Sequence, residues 1–162
     1  AACAFAKLED AAGLDTLITQ YRALPHDNQT TNAWFQLARI ALAYKAHNMT
    51  TAHAQLSLIV STYPHACAAL IRQQELPEGV FARLAVAPLS EDELIVALSE
   101  MTILLQEGRE QDGRGSFGAW IAQEAERFAQ PWEAQEILDA KRFAQELAER
   151  RDAPHNEGNR RS

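Results

Sequence analysis

Shortages narrow the possibilities for this sequence. Its two cysteines, Cys3 and Cys67, have no second cysteine or paired histidine at metal-ligand spacing, which excludes a disulfide framework. Both stand among alanines in helical patterns, where a free thiol is ordinarily a small buried hydrophobe. No uninterrupted apolar run approaches the ~20 residues that cross a bilayer, and no basic-then-apolar leader is present, so the expected setting is the cytoplasm. The chain opens on Ala1-Ala2-Cys3 rather than Met, which has the form of the end of a bacterial lipoprotein processing site. An upstream export signal therefore stays open, beside a trimmed or partial chain. Basic charge is scarce as well. Residues 1–75 hold five basic and five acidic side chains, so the whole excess behind the net charge of -7 lies beyond them. An acidic second half repels phosphate backbones, so nucleic acid is not an expected partner outside the Arg160-Arg161 tail.

Val, Ile, Thr and Tyr are sparse, and Ala, Leu, Gln, Glu and Arg dominate. These are the residues that lose least side-chain freedom in a helix, and they predict an all-α protein. The chain is organised around residues 32–64. Trp34, Leu37, Ile40, Ala41 and Tyr44 recur at helical spacing, and across a short polar turn so do Ala52, Leu56, Ile59 and Tyr63, which predicts a helical hairpin. Before it, residues 1–24 predict two helices or one bent helix, with Gly13 as the interruption and Asp15 able to start the second. The polar stretch after Pro25 predicts a loop, with Thr31 or Asn32 as the next N-cap.

Beyond Pro64 a helix is expected to about residue 75, then a short one over Val80 to Val86. Ser90-Glu91-Asp92-Glu93 reads as a capping box opening a helix that carries Leu94, Ile95, Leu98, Met101, Thr102 and Leu105 to Gly108. Residues 108–118 carry four of the seven glycines and predict a flexible linker. Helices follow over 119–129 and 132–151, with Pro131 between them and with Phe128 and Phe143 offered to a shared core. The domain reading is a hairpin region over 1–107, a linker over 108–118, a helical pair over 119–151 and a disordered tail over 152–162.

Positions 39 residues apart also match: Gly13 with Ala52, Leu17 with Leu56, Tyr21 with Val60, and Pro25-His26 with Pro64-His65. With Trp34, Leu37 and Ala38 in the first helix and Ala52, Leu56 and Pro64 in the second, residues 32–64 resemble a tetratricopeptide-type hairpin. Ala41 stands where that family places Tyr, and the turn is longer. The resemblance implies antiparallel hairpins in a compact bundle or short right-handed solenoid. It also implies a partner-facing surface at Asn32, Phe35, Arg39 and Leu42, with Trp34, Leu37 and Ala38 packed inward.

Signals for chemistry are thin. Gly113-Arg114-Gly115-Ser116-Phe117-Gly118 satisfies G-x-G-x-x-G before a helix, so Gly113, Arg114, Gly115 and Ser116 form a candidate anion site. A dinucleotide fingerprint would follow a buried strand, and a helix precedes this one. His47, His53, His65 and Cys67 surround the hairpin at spacings of no compact zinc set, and His26 and His65 are better read as bonding helix-end carbonyls. No nucleophile signature is present. The expectation is a non-enzymatic protein-binding module of adaptor, chaperone or inhibitor type, without cofactor, metal or membrane span, its partner another protein or peptide. The alternative is a small helical enzyme or anion-binding protein using residues 113–118.

Overall fold

The computed structural model describes residues 1–23, 31–77, 86–108 and 114–152, the side chains of the last two positions excepted. Over these residues the chain is all-α. In order the helices are α1 (Ala2–Lys7), α2 (Ala11–Ala23), α3 (Ala33–Lys45), α4 (Met49–Thr62), α5 (Ala66–Arg72), α6 (Glu91–Glu100), α7 (Thr102–Leu105), α8 (Ser116–Phe128) and α9 (Ala134–Asp152). A 3₁₀ turn, Pro131–Glu133, precedes α9. Among the described residues no single helix is long and apolar enough to cross a membrane. Most of the helix expected at 80–86, the tail beyond 152 and His26 lie outside the described residues; Val86, which is described, is not helical.

The first helix pair corrects the expected break. Asp10, not Asp15, heads α2, its Oδ1 accepting the Gly13 N–H at 2.8 Å. Gly13 sits inside the helix. A Cβ there would stand 2.6 Å from the Phe5 ring, so glycine lets α1 fold tightly back on α2. The turn between them places Glu9 at φ 56°, with Asp10 N–H reaching Phe5 O at 2.8 Å. That is a Schellman ending built without glycine. His47 ends α3 in the same way at φ 58°, with Asn48 N–H on Ala43 O at 2.9 Å.

Helix α3 is the centre of the molecule. It touches α1, α2, α4 and α6, so it buries far more than one stripe. Ala33, Ala38, Ile40 and Ala41 are wholly inaccessible, and the small residues among them let neighbouring helices approach closely. Asn32 caps the helix by accepting the Phe35 N–H, and Asn48 caps α4 by accepting the Thr51 N–H. The inward stripe of α4 is Ala52, Leu56 and Ile59, with Tyr63 following, as its spacing predicts.

Crowding around α3 reverses two expected roles. Phe35 is buried, edge-on against Tyr21 at 5.0 Å between ring centres. Trp34 stays at the margin of the core, where its indole N–H donates to Glu100. An indole has a donor to satisfy, and a phenyl ring has none, so the phenyl takes the drier position.

Helix α6 opens at Ser90, whose Oγ accepts the Glu93 N–H, but the capping box is only half made. The Glu93 carboxylate does not reach back to its own helix start. It turns inward, 5% exposed, and its Oε2 accepts both the Ala33 N–H at the head of α3 and the Tyr63 hydroxyl at the foot of α4. One carboxylate thus fastens three helices. Burial and this carboxylate together push the Tyr63 phenol well above its usual range. The single long helix expected over 91–107 is interrupted at Met101, where α6 gives way to the one-turn α7.

The described part of the glycine segment is built into the body. Gly115 N–H donates to Leu105 O at 2.8 Å, and Arg114 donates to the Ile71 carbonyl. A Cβ on Gly115 would overlap the Glu107 carbonyl, and one on Gly118 the Leu105 carbonyl. These glycines serve close backbone approach. Phe117, Ile121 and Ala125 of α8 enter the same core as Leu37, Leu70 and Leu98, so the residues on either side of the segment share one core. A smaller cluster of Cys67, Ala68, Ile71, Ala122, Ile137 and Ala140 seats α5 against α8 and α9. Phe128 reaches both clusters, whereas Phe143 is half-buried outside them.

Two stability effects are expected. Gly118→Ala should cost about 1–3 kcal/mol in denaturant unfolding, because the added methyl must push α8 off α7. Tyr63→Phe should cost about 1.5–3 kcal/mol, the worth of a hydrogen bond to a buried charged acceptor, with little change in the slope of the unfolding curve. A loss below about 0.5 kcal/mol would show that Glu93 finds another donor.

Candidate functional site

The chain's one half-buried guanidinium on α3, Arg39, stands on the wall of a cleft of about 350 Å³ between α2, α3 and the start of α4. Leu14, Leu42 and Ala43 make the apolar surface; Asn48, Thr51 and Gln55 carry polar groups, and Asp15 stands on the α2 side. Among the described residues no carboxylate lies within ion-pairing distance of Arg39, Asp15 included. Helix periodicity puts Arg39 and Leu42 on one side of α3, three residues apart, and the short α3–α4 turn brings Asn48 and Thr51 beside them. An unpaired cation at the edge of an apolar hollow is suited to receiving a carboxylate attached to an apolar group.

The four expected partner-facing residues therefore separate. Arg39 and Leu42 share this cleft. Asn32 and Phe35 line another, of about 410 Å³, with Cys3, Leu17, Trp34 and Glu100. Neither is offered to a partner in the expected way: both are buried, and the Asn32 amide oxygen already caps α3. Burial pushes the half-buried Cys3 thiol upward, which leaves it a weak nucleophile.

The expected anion residues also have other duties. Gly113 lies outside the described residues, and Arg114 and Gly115 each donate a hydrogen bond to a backbone carbonyl of the body. Ser116 is exposed and borders a hollow of about 270 Å³ with Lys7, Lys45 and Glu107. There Glu107 receives both ammonium groups at 2.8 Å, which holds its carboxyl below the usual range. Lys45 also donates to the last carbonyls of α1 at Ala6 and Lys7. These lysines brace α1, α3 and the end of α7.

A fourth hollow was not legible in the sequence. About 410 Å³ in volume, it lies where the end of α4, the start of α5, the end of α8 and the 3₁₀ turn meet. Val60, Tyr63, Phe128 and Trp132 supply its apolar surface, and Glu133 its carboxylate. His65, expected to bond helix-end carbonyls, instead pairs with Glu136 of α9 at 2.7 Å. His53 meets Glu124 at 3.3 Å and lies against the Phe128 ring. Cys67 lies against the hollow, almost inaccessible, and burial, then Glu133 and Glu136, push its thiol up to about 11. In the sequence Pro131 marks only a break before the helix expected from Trp132, which says nothing of what the indole would face.

Among the described residues no three His, Cys, Asp or Glu side chains converge to hold a metal ion. Comparison with protein-family models, with curated proteins and with solved structures yields no match.

The His65 pair has a pH signature. The hydrogen bond and charge of Glu136 raise the His65 pKa from 6.5, with Glu91 and Glu133 adding and desolvation opposing. A folded pKa above the unfolded one gives stabilisation that is complete below the unfolded value and disappears as pH rises through the folded value. His65 should titrate above about 6.5 by NMR and return toward it in Glu136→Gln. The melting temperature should fall slightly from about pH 6 to 8.5, and less so in that variant, since an exposed pair contributes little.

Proposed function

We propose that the protein is a non-enzymatic protein-binding module of adaptor, chaperone or inhibitor type. Its cleft between α2, α3 and α4 grips a partner segment that presents an acidic group beside an apolar side chain. The observation that carries this reading is Arg39, half-buried, without a carboxylate partner among the described residues, at the edge of an apolar hollow. An ion pair there is partly shielded from solvent and gains strength from the lower local dielectric. Leu14, Leu42 and Ala43 give a partner side chain apolar area, and Asn48, Thr51 and Gln55 can bond an extended backbone. The tetratricopeptide-type resemblance of residues 32–64 supports the same side of α3, with Asn32 and Phe35 removed from the contact set.

The competing reading, an enzyme or anion-binding protein using residues 113–118, has less in its favour. The donors of Arg114 and Gly115 that are described are engaged with the Ile71 and Leu105 carbonyls.

The test begins with affinity capture from native lysate and mass spectrometry, then calorimetry with a blocked peptide alternating glutamate and leucine. Arg39→Glu should weaken binding of both by about 10- to 100-fold, about 1.4–2.7 kcal/mol, without moving the circular dichroism melt. Phe35→Ala should instead unfold the protein more easily by about 3–5 kcal/mol, as a core truncation does. Unchanged binding in Arg39→Glu, or micromolar heat from a nucleotide that is lost on changing Ser116, would replace this reading with the other.

A further inference from the structure

We propose that the hollow bordered by Trp132 is a second docking site, which receives a basic side chain and its apolar neighbour from a partner protein.

Trp132 is 77% exposed, the most exposed large apolar side chain among the described residues. It is not on a loose loop. Pro131 fixes the backbone at the start of the 3₁₀ turn, and the Gln130 N–H is tied to Glu133 Oε2 at 2.6 Å, with the Gln130 side chain completing a capping box. An indole held in water on a stiff turn loses little conformational freedom when covered, and Trp is the residue most enriched at the energetic centres of interfaces.

The charge at the site selects the occupant. Glu133 lines the hollow, accepts one backbone N–H and forms no ion pair among the described residues; His65, on the same wall, feels its charge only at longer range and is paired with Glu136. No Lys or Arg lines the hollow. The nearby cations are already matched: Arg127 faces Glu124, Lys141 faces Glu126, and His65 faces Glu136. A guanidinium or ammonium entering here meets an indole face and an unmatched carboxylate together, the pairing that favours cations over neutral or acidic groups. Val60 and Phe128 beside it offer area to an adjacent apolar side chain. The acidic excess beyond residue 75 steers the same class of partner toward this half. The upward shift of the Cys67 thiol, to which Glu133 and Glu136 contribute, reports the same negative field.

This site is independent of the Arg39 cleft. Helix α4 contributes to both, through Thr51 and Gln55 to the one and Ser57, Val60 and Ser61 to the other. At 1.5 Å per residue Thr51 and Ser61 are about 15 Å apart along the axis. The two hollows have opposite preferences, an acidic group at Arg39 and a basic one at Trp132.

Calorimetry with a blocked peptide alternating arginine and leucine, against the glutamate–leucine peptide, tests the proposal. The arginine peptide should bind saturably and weaken as sodium chloride rises from about 50 to 500 mM. Trp132→Ala should weaken it at least about tenfold, with an unchanged melt because the indole is exposed. Glu133→Gln keeps the acceptor for the Gln130 N–H and removes the charge; it should weaken binding about three- to tenfold. Arg39→Glu should leave this peptide's affinity unreduced, so failure here is distinct from failure of the Arg39 reading. The proposal is overturned by no saturable binding, by equal binding of the glutamate peptide at this site, or by an affinity indifferent to Trp132→Ala.

Discussion

The Glu93 carboxylate is the fixed point of the molecule. A carboxylate at 5% exposure is costly unless it is hydrogen-bonded, and this one receives the Ala33 N–H and the Tyr63 hydroxyl. Meeting that requirement places the head of α3, the foot of α4 and the first turn of α6 together. The consequences spread from there. Anchored at its N-terminus, α3 becomes the axis against which α1, α2, α4 and α6 pack. Tyr63, held by the same bond, ends α4 where α5 must turn away, and His65 takes φ 56° in that turn.

Close backbone approach is the second constraint. Gly13, Gly115 and Gly118 each stand where a methyl would collide with a neighbour, two of them with carbonyls of residues 105–107. The glycines that look like a linker in sequence are what allow α8 to lie down on the end of α7. Once there, α8 delivers Phe117 and Ile121 to the common core and carries the 3₁₀ turn with Trp132 to the far end of α4. The exposed indole is thus positioned by rigid elements on both sides.

The two hollows differ in electrostatics for a reason that lies in the packing. The charges in residues 1–75 cancel in number but not in space: among the described residues Arg39 has no acid within ion-pairing distance, while Lys7 and Lys45 share Glu107. In the second half Arg127 and Lys141 are taken by acids of α8, and Glu133 forms no ion pair among the described residues. The two proposed binding preferences, of opposite sign, rest on these charges, each set beside apolar surface where water screens it less.

The sequence by itself determined the local features: an all-α chain, the hairpin of α3 and α4, the inward stripe of α4, the caps at Ser90 and at one of Thr31 or Asn32, and a break between helices at Pro131. Each depends on residues within about one helical turn, so spacing and capping chemistry suffice to read it. Tertiary structure alone decided that Phe35 is covered and Trp34 marginal, that Glu93 leaves its own helix for Ala33 and Tyr63, and that His65 meets Glu136. It alone decided that Arg39 and Glu133 remain unmatched among the described residues. Such outcomes depend on which side chains from distant segments arrive at the same place. A helical period tells which residues share a face, but several faces of α3 are apolar, and only the neighbours that pack on each decide which stays open.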